Sequence, residues 1–543
     1  MRRVDQNIGR VLVLGLGKSG KSVARYCADL LGVRVESMFI AAGARNDDSA
    51  AFVQSLEGEG VAYAFGDDAL QGDVGHFDVC IASPGIPFWH ELYVRGAELS
   101  DEIISEVEFA WRESDADSTW VAITGTNGKT TTTSLAAHVL RECGFAANAV
   151  GNIGDVCLDA VAAGDTSVYV AEVSSYQTYS TRLFAPDVAV MLNITPDHIH
   201  WHQTLDAYAQ AKFKLIDNMF ACDGHGEALS DHAEAPAPRT DGAASELVRC
   251  ADSDSPRSRS ALTSSQLQRD PKGPRRVRRI VILDATNDVV RAKVRELKAM
   301  TRDERGFDYV PMGTADGIHG DMRAKCGAEN AAFLDEGDVL HVVLDGVDHA
   351  LAAASDLQIK GEHNASNALA AAAVAVALGA DDSAIAAALA NFQPLVHRIE
   401  PCGSVEGVAC YNDSKATNVD ATLKALQAFP GKRVVIMLGG DDKGTDLSEL
   451  VAAVYEHAGV AVCYGEGGPR FADALDESLP QGLQLIRASH MEDALDAALD
   501  AAQPGDVVLL SPACASFDEF RSFEHRGDVF KQLVAERAAA RGV

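Results

Sequence analysis

Residues 124–131 of the chain read Thr-Gly-Thr-Asn-Gly-Lys-Thr-Thr and follow a short apolar run, Val121–Ile123, that we predict to be a strand. Glycines let such a loop turn closely round a phosphate, while backbone N–H groups, a lysine and a hydroxyl bind the phosphate oxygens and Mg²⁺. The loop is shorter than the standard phosphate-binding pattern, because Ile123 stands where its first glycine belongs. Gly128-Lys129-Thr130 nevertheless predicts an ATP site.

A second glycine loop, Gly15-Leu16-Gly17-Lys18-Ser19-Gly20, follows the apolar run Val11–Leu14. This arrangement is typical of a strand that turns into a helix at a nucleotide or diphosphate site. Glu36, at the end of a strand predicted over Val33–Glu36, could bind a ribose hydroxyl, or it could be an exposed carboxylate. A nicotinamide-dependent dehydrogenase built on this loop is therefore an alternative that the phosphate loop argues against.

Polar residues follow two further predicted strands, Ser167–Val173 and Val188–Ile194. Glu172 is suited to Mg²⁺ ligation downstream of a phosphate loop, with a helix-capping acid as the alternative. Three histidines alternate in residues 198–202 and could in principle bind Zn²⁺. We interpret His200 and His202 as solvated loop histidines, and His198 as a neighbour of the magnesium site.

Two strings near the C-terminus each follow a predicted strand, Asn412–Asn418 and Ser511–Phe517. Sites in open α/β sheets form at the carboxyl ends of strands, so these strings are candidates for binding. Cys514 is better explained as a buried thiol than as a nucleophile, because no partner base is indicated. Lys212, on the helical stretch Leu205–Ile216, is by itself a surface lysine.

The elements that must position these residues alternate between strands and helices, which predicts parallel sheets. We predict an α/β protein of three domains: a Rossmann-like N-terminal domain (1–115), a central mixed-sheet domain of the phosphate-loop ATPase type (116–395) and a Rossmann-like C-terminal domain (396–543). Residues 221–279 hold no Phe, Trp or Tyr and are rich in Ala, Ser, Asp, Arg and Pro. This segment is predicted to be a largely disordered insertion in the central domain.

Composition narrows the class of protein. The chain has 543 residues and a net charge of -32, which disfavours nucleic acid and anionic membranes as partners. The longest apolar stretch, Leu369–Ala380, is too short to cross a membrane and is expected to be a packed helix. Eleven scattered cysteines without a C-x-x-C pair fit reduced thiols. We expect a soluble, cytoplasmic monomer.

Taken together, these segments resemble the Mur ligase family, the ATP-dependent, amide-forming enzymes of peptidoglycan precursor synthesis. The loop 125–131 is similar to the ATP motif of that family. Further strings resemble the branch that adds D-glutamate to UDP-N-acetylmuramoyl-L-alanine: Ser83-Pro84-Gly85-Ile86, Gly151-Asn152-Ile153-Gly154, residues 412–418, residues 511–517 and Phe523-Glu524-His525-Arg526-Gly527. The resemblance runs from Val11 to about Arg537, except over the predicted insertion.

The resemblance implies roles for individual residues. The UDP-sugar substrate would contact Lys18, Ser19, Gly85 and Asn152. ATP would contact Gly125, Thr126, Asn127, Gly128, Lys129, Thr130, Thr131, Asn364, Asn367, Arg398 and Asp413. Magnesium would be held by Thr130, Glu172, His198 and, if it is carbamylated, Lys212. D-glutamate would contact Lys415, Thr417, Lys443, Ser516, Phe517 and Phe523. The catalytic group implied in this way is Lys129, Glu172, His198 and Lys212.

The implied reaction begins when ATP phosphorylates the alanyl carboxylate, which makes an acyl phosphate that the amine of D-glutamate then attacks. Two Mg²⁺ ions and Lys129 would offset charge during phosphoryl transfer, and domain closure would bring the amine into place. The same scaffold adding L-glutamate or another amino acid stays open, because nothing in the sequence fixes the stereochemistry. A folylpolyglutamate-synthetase-like enzyme and a catalytically silent binding protein are further alternatives.

Overall fold

Alternation of β-branched runs with helical stretches produces three β-sheets in succession along the chain. The computed structural model describes residues 2–4, 7–56, 60–197, 199–220, 278–313, 330–359, 361–442 and 444–541. His198, Lys443 and residues 221–277 of the predicted insertion lie outside these ranges. The α/β class with three sheets, as predicted, is confirmed.

The first sheet contains five parallel strands in the order β3-β2-β1-β4-β5. Its strands are β1 Gly9–Leu14, β2 Val35–Ala42, β3 Val61–Phe65, β4 Val79–Ala82 and β5 Ile103–Ser105. Its helices are α1 Lys18–Asp29, α2 Asp47–Ser55, α3 Glu91–Glu98 and α4 Glu106–Glu113. The chain moves one way from β1 to β2 and the other way to β4, so the carboxyl ends of β1 and β4 form a switch point where ligands bind in such sheets.

The central sheet has nine strands in the order β14-β13-β12-β11-β10-β9-β6-β8-β7. The strands are β6 Thr119–Thr124, β7 Ala147–Gly151, β8 Val168–Glu172, β9 Val188–Met191, β10 Ile280–Asp284, β11 Asp308–Gly313, β12 Ala331–Leu334, β13 Val339–Leu344 and β14 Val347–Ala353. The part from β7 to β12 is parallel, and β13 and β14 add an antiparallel edge.

Helices that accompany the central sheet position most of the site described below. They are α5 Lys129–Glu142, α6 Cys157–Ala163, α7 Ser175–Tyr179, α8 Ile199–His202, α9 Leu205–Asp217, α10 Asp288–Ala299, α11 Arg302–Arg305, α12 Glu362–Ala377 and α13 Asp382–Asn391, with a short 3₁₀ turn at Ala354–Asp356. The alanine-rich α12 packs against α5, and its residues Ala368–Ala373 are all buried. The predicted packed helix at Leu369–Ala380 is therefore confirmed as far as Ala377, where α12 ends.

The third sheet has six strands in the order β15-β16-β20-β17-β18-β19. The strands are β15 Glu400–Val405, β16 Val408–Asn412, β17 Val434–Gly439, β18 Ala458–Tyr464, β19 Gln484–Arg487 and β20 Val507–Leu510. The helices are α14 Val419–Gln427, α15 Ser448–His457, α16 Gly468–Asp476, α17 Met491–Ala501 and α18 Phe523–Arg541. Only β15 pairs antiparallel in this sheet as described.

Among the boundaries that differ from prediction, two concern segments singled out above. Strand β2 begins at Val35 and runs to Ala42, whereas the prediction ended a strand at Glu36. At the predicted insertion, Arg278 and Arg279 already belong to the fold, because Arg278 forms ion pairs with Asp308 and Asp345. Strands β10–β14 were not predicted at all. Among the described residues, no helix has the length and apolarity needed to cross a membrane.

Candidate active site

A cleft between the central and third sheets contains most of the predicted ATP residues. Its lining comes from the phosphate loop, from the ends of β8 and β16, and from the start of α12. The predicted site residues that line it are Thr126, Asn127, Gly128, Lys129, Thr130, Thr131, Asn152, Glu172, Asn364, Asn367, Arg398, Asp413, Lys415 and Thr417. Residues more than 290 positions apart in the sequence thus face one cavity.

The phosphate loop turns at Gly128, which precedes α5 with a φ of +83°. A Cβ atom at this position would lie 2.5 Å from Oδ1 of Asn367, so only glycine fits without displacing that side chain. The Asn367 amide in turn donates to Asn364 Oδ1 at 3.1 Å, and the Thr132 hydroxyl donates to Asn367 Oδ1 at 3.1 Å. The loop and the start of α12 are therefore fixed against each other.

The segment after β9 supports the loop from beneath. The Asn193 side chain accepts from the Asn127 N–H at 2.9 Å and donates to the Asn127 carbonyl at 3.2 Å. The Thr126 hydroxyl donates to the Thr195 carbonyl at 3.1 Å and accepts from the Thr195 N–H at 3.0 Å. These paired bonds hold the loop in shape before any phosphate binds, which reduces the ordering entropy that binding must offset.

Lys129 folds back over its own loop. Its ammonium donates to the carbonyls of Gly125 at 2.9 Å and Thr126 at 2.6 Å. Burial lowers the pKa of Lys129 below its ordinary value, while the Glu172 and Asp197 carboxylates oppose that shift. A nearby anion would favour the charged form, so the side chain is suited to meet a phosphate.

Glu172, the last residue of β8, is almost wholly buried, with 1% of its surface exposed. Asn152 donates to its Oε1 at 2.8 Å, and its Oε2 is buried without a hydrogen-bond partner. The alternative role as a helix-capping acid is wrong, because Ser174 caps α7. An uncompensated carboxylate oxygen facing a phosphate cleft has the chemistry of a Mg²⁺ ligand.

Lys212, on α9, is buried, whereas the sequence without the family resemblance predicted a surface lysine. Its Nζ donates to the Gly125 carbonyl at 2.8 Å and lies 4.6 Å from the centre of the Tyr208 ring. Burial, reinforced by the Lys129 charge, lowers the pKa of Lys212 well below its ordinary value. The amine therefore lies directly beneath the phosphate loop.

The third sheet contributes the facing wall of the cleft. Asp413 accepts from the Ser511 hydroxyl at 2.7 Å and from the Ile399 N–H at 3.2 Å, and burial raises its pKa to about 7. The Lys415 ammonium lies 3.7 Å from the centre of the Phe523 ring, and burial together with the Arg398 charge lowers its pKa to about 8.

The remaining residues predicted to bind D-glutamate differ in their burial. Ser516 is buried, whereas Phe517 is 70% exposed. Neither these two nor Phe523 lines the cleft itself, although Phe523 reaches it through Lys415. Cys514 is a buried thiol, as expected, and burial raises its pKa to about 12.

Arg526 is a residue whose role the sequence did not reveal. Its guanidinium is fully buried and donates to the hydroxyl and carbonyl of Ser414, at 2.9 and 2.8 Å, and to the carbonyls of Cys514 at 3.1 Å and Ala515 at 3.0 Å. One side chain therefore joins the loop that carries Lys415 to the loop that carries Ser516. Its placement in the Phe-Glu-His-Arg-Gly string was the available signal.

Other polar groups of the cleft were also missed. Burial and the charges of Lys424 and Arg398 lower the pKa of His363 to about 4, so its imidazole is neutral at neutral pH. The Asn127 amide donates to the Asp420 carboxylate of α14, which links the phosphate loop to the third sheet. Lys424 pairs with Asp420 at 3.0 Å.

The predicted UDP-sugar residues lie in two places. Lys18, Ser19 and Gly85 are at the switch point of the first sheet, where the Ser83 N–H donates to the Leu14 carbonyl at 2.8 Å. Asn152, in contrast, lines the cleft. Glu36 is exposed at the start of β2, at the opposite end of the sheet from the glycine loop, so it cannot bind a ribose held there.

His202 contradicts its interpretation as a solvated loop residue. It ends the short helix α8 with only 5% of its surface exposed, and its Nε2 forms a 2.9 Å hydrogen bond with Ser175 Oγ. The reason is that residues 199–202 fold as a helix, which turns the ring towards α7. His202 therefore links the two short helices α7 and α8.

Comparison with known proteins agrees with this arrangement. The Mur ligase middle domain matches residues 123–224, and the Mur ligase glutamate ligase domain matches residues 397–514. The UDP-N-acetylmuramoylalanine–D-glutamate ligase of Salinibacter ruber is 34% identical over 536 residues, with 97% of each chain covered.

Solved structures share the fold at low sequence identity. The UDP-N-acetylmuramate-alanine ligase MurC of Thermotoga maritima superposes with a TM-score of 0.50 at 16% identity, covering 98% of this chain and 100% of that one. The MurF ligase of the same organism, solved with ADP, gives 0.50 at 14% identity over 87% and 97%. With two matching domains and a full-length relative above 30% identity, the chain belongs to the Mur ligase family.

Proposed function

We propose that the protein is an ATP-dependent ligase that adds D-glutamate to UDP-N-acetylmuramoyl-L-alanine in peptidoglycan precursor synthesis. The observation that carries this proposal is the single cleft shared by Lys129 and Glu172 on one wall and Asp413 and Lys415 on the other. Full-length relatives named UDP-N-acetylmuramoylalanine–D-glutamate ligase support the choice of substrates.

ATP occupies the cleft in this proposal. Its phosphates lie on the loop Gly125–Thr131, where Lys129 turns from its loop carbonyls towards them. Asn364 and Asn367 meet the adenine, Asp413 meets the ribose, and Arg398 meets the phosphates. The ADP complex of a structurally similar ligase supports nucleotide binding by this fold.

Magnesium fits the residues present, because the buried Oε2 of Glu172 lacks a partner and faces the same cleft as Thr130. Glu172, Thr130, His198 and a carbamylated Lys212 would hold the metal. The ions would neutralise charge on the phosphoryl group during transfer. Carbamylation is proposed from the position of Lys212, whose buried amine donates to the Gly125 carbonyl at 2.8 Å and lies 4.6 Å from the centre of the Tyr208 ring.

The UDP-linked substrate binds at the switch point of the first sheet, where Lys18, Ser19 and Gly85 line the ends of β1 and β4. The first turn of a helix that follows such a glycine loop presents backbone N–H groups to a diphosphate. From there the substrate reaches Asn152 and presents its alanyl carboxylate beside Lys129. D-glutamate binds against Lys415, Thr417, Lys443, Ser516, Phe517 and Phe523.

The chemistry then follows in two steps. A carboxylate oxygen of the substrate attacks the γ-phosphorus of ATP, the bond to the β-γ bridging oxygen breaks, and an acyl phosphate and ADP form. The neutral amine of D-glutamate attacks the acyl carbon, and the tetrahedral intermediate expels phosphate as the nitrogen loses a proton. Lys129, Arg398 and Lys415 place positive charge round these anions within a chain whose net charge is -32.

A cytoplasmic location and a monomeric state complete the proposal. The described cysteines Cys27, Cys80, Cys143, Cys157, Cys402, Cys410, Cys463 and Cys514 are free thiols, which suits a reducing compartment. Binding residues for all three substrates come from one chain, so the reaction needs no second copy.

The deciding experiment measures phosphate release by the purified protein with ATP, Mg²⁺ and UDP-N-acetylmuramoyl-L-alanine. D-glutamate, L-glutamate, lysine and diaminopimelate are compared as acceptors. Release that depends on D-glutamate, with the matching mass increase in the UDP product, is the expected result. Release with L-glutamate alone would keep the fold and mechanism but replace the amino-acid specificity, and no release with any of them would contradict the proposal.

A further inference from the structure

Five aromatic side chains join the first sheet to the central sheet beside the candidate active site. We call them the aromatic bridge: Phe88 and Trp89 from the loop after β4, Tyr176 and Tyr179 from α7, and Trp201 from α8. Phe88 stacks on Tyr179 with ring centres 4.8 Å apart and meets Trp201 at 5.1 Å. Trp201 also contacts Trp89 at 5.7 Å and Tyr176 at 4.8 Å.

Both ends of the bridge are attached to site loops. Trp89 lies four residues after Gly85, in the loop assigned to the UDP-linked substrate. Tyr176 lies four residues after Glu172, and the neighbour of Trp201, His202, is hydrogen-bonded to Ser175 at 2.9 Å. In the proposed function, the UDP-linked substrate extends from the glycine loop of the first sheet to Lys129 and passes between the two loops that the bridge joins.

The bridge packs the two sheets together, but one side of it is open. Trp201 is buried, but Trp89 keeps 46% of its surface exposed and Phe88, Tyr176 and Tyr179 are partly exposed. The chain has only four tryptophans, and two of them are here. Trp89 is the most exposed of the five rings, so its indole is accessible to a ligand.

The part of the substrate that would pass the bridge has a chemistry that suits its open side. In the proposed substrate, the part between the diphosphate and the alanyl carboxylate is a pyranose ring. One face of such a ring presents C–H bonds, and these pack favourably against the electron-rich face of an indole or phenol ring. No charged side chain of the bridge itself would oppose that contact.

We propose that the open side of the aromatic bridge, with Trp89 at its exposed end, binds the sugar ring of the UDP-linked substrate. This inference rests on the proposed function for the identity of that substrate. It assigns to Trp89 a part in positioning the sugar so that the carboxylate beyond it reaches Lys129. Neither ATP nor D-glutamate depends on it.

The test compares binding of UDP with binding of UDP-N-acetylmuramoyl-L-alanine by calorimetry. Trp89→Ala is expected to weaken binding of the UDP-sugar about fivefold to tenfold, with binding of UDP unchanged within about twofold. Trp89→Leu, which keeps apolar packing without an aromatic face, is expected to show the same loss, and Trp89→Phe to retain most of the affinity. Tyr63→Ala, at an exposed aromatic residue on β3, is the matched control.

Two results would overturn the inference. Equal weakening of UDP and the UDP-sugar would show that Trp89 supports the loop or the uridine rather than the sugar. Unchanged affinity in Trp89→Ala and Trp89→Leu would show that the bridge only packs. D-glutamate-dependent phosphate release by the unmodified protein is measured first, so that failure of the proposed function itself is recognised separately and would remove this inference as well.

Discussion

The Nζ atom of Lys212 lies 2.8 Å from the carbonyl oxygen of Gly125, the first glycine of the phosphate loop. A lysine buried in this way is held by neutral groups: the carbonyl, the Thr124 hydroxyl at 3.5 Å and the Tyr208 ring. The amine thus occupies a position where an added carbamate would extend towards the phosphates. A lysine carbamate loses CO₂ on acidification. Native mass spectrometry at neutral pH therefore measures directly whether Lys212 carries one.

We expect Lys212→Ala to lose about a hundredfold or more of ligase turnover, because a group that stabilises transferring charge is removed. Formate or acetate should restore part of the activity by supplying a carboxylate in the vacated space. Phosphate release with and without added formate measures both effects. Lys293→Ala on the adjacent helix α10 is the control and should keep normal turnover, whereas full activity in Lys212→Ala would contradict the carbamate assignment.

Glu172→Gln should abolish most turnover while leaving the protein at least as stable without metal. The amide oxygen can still accept from Asn152, but the negative charge on the carboxylate, whose buried Oε2 has no hydrogen-bond partner, is gone. Thermal unfolding in EDTA tests the stability, and a magnesium titration of the residual activity tests the metal. A variant that is both active and unchanged in its magnesium requirement would exclude Glu172 as a ligand.

Arg526→Lys should raise the KM for D-glutamate about tenfold, because a lysine cannot make the four bonds that hold the 414 and 514–515 loops together. The KM for the UDP-linked substrate, bound mainly at the first sheet, should change less than about twofold. Steady-state kinetics with each substrate varied in turn gives this comparison. Equal changes in both constants would indicate general destabilisation instead of a positioning role.

The buried carboxyl of Asp413 should make stability depend on pH. Burial raises its pKa from 3.8 to about 7, so between these values the folded state binds a proton that the unfolded state has released. Stability therefore falls as the pH rises from 4 to 7. Asp413→Asn should remove about 2–3 kcal/mol of the difference in unfolding free energy between pH 5 and pH 8. Urea titrations of both proteins at the two pH values measure it; parallel pH profiles would contradict the prediction.

Structural features that depend on residues close together in the sequence were predicted well. The phosphate loop at 125–131 and the glycine loop at 15–20 each sit between a strand and a helix, where their residue types require them, and β16, β17, β18 and β20 were placed within two residues at either end. Lys212 differs, because nothing near it in sequence marks it as buried, and only the resemblance to a family indicated a role.

Residues whose role depends on distant contacts could not be found in this way. The sequence gives no sign that Arg526 is buried, because its four hydrogen bonds form only when α18 packs against the loops that carry Ser414, Cys514 and Ala515. Asp420 is connected to the phosphate loop through its hydrogen bond with Asn127, which lies 293 residues away in sequence. Among the unpredicted strands β10–β14, Pro311 interrupts the apolar run of β11, and β14 alternates weakly at an exposed edge.

The residues on either side of the segment 221–277 have a consequence for how this chain can be altered. Phe220 precedes the segment and Arg278 follows it, and the Arg279 guanidinium donates to the Met219 carbonyl at 3.3 Å, so the two flanking ends are neighbours. Joining two points already held together changes folding entropy only with the logarithm of the connecting length. Replacing the segment with a short glycine-serine linker should preserve ligase activity, and the same position should accept a whole foreign domain, making it a natural point at which to attach a reporter.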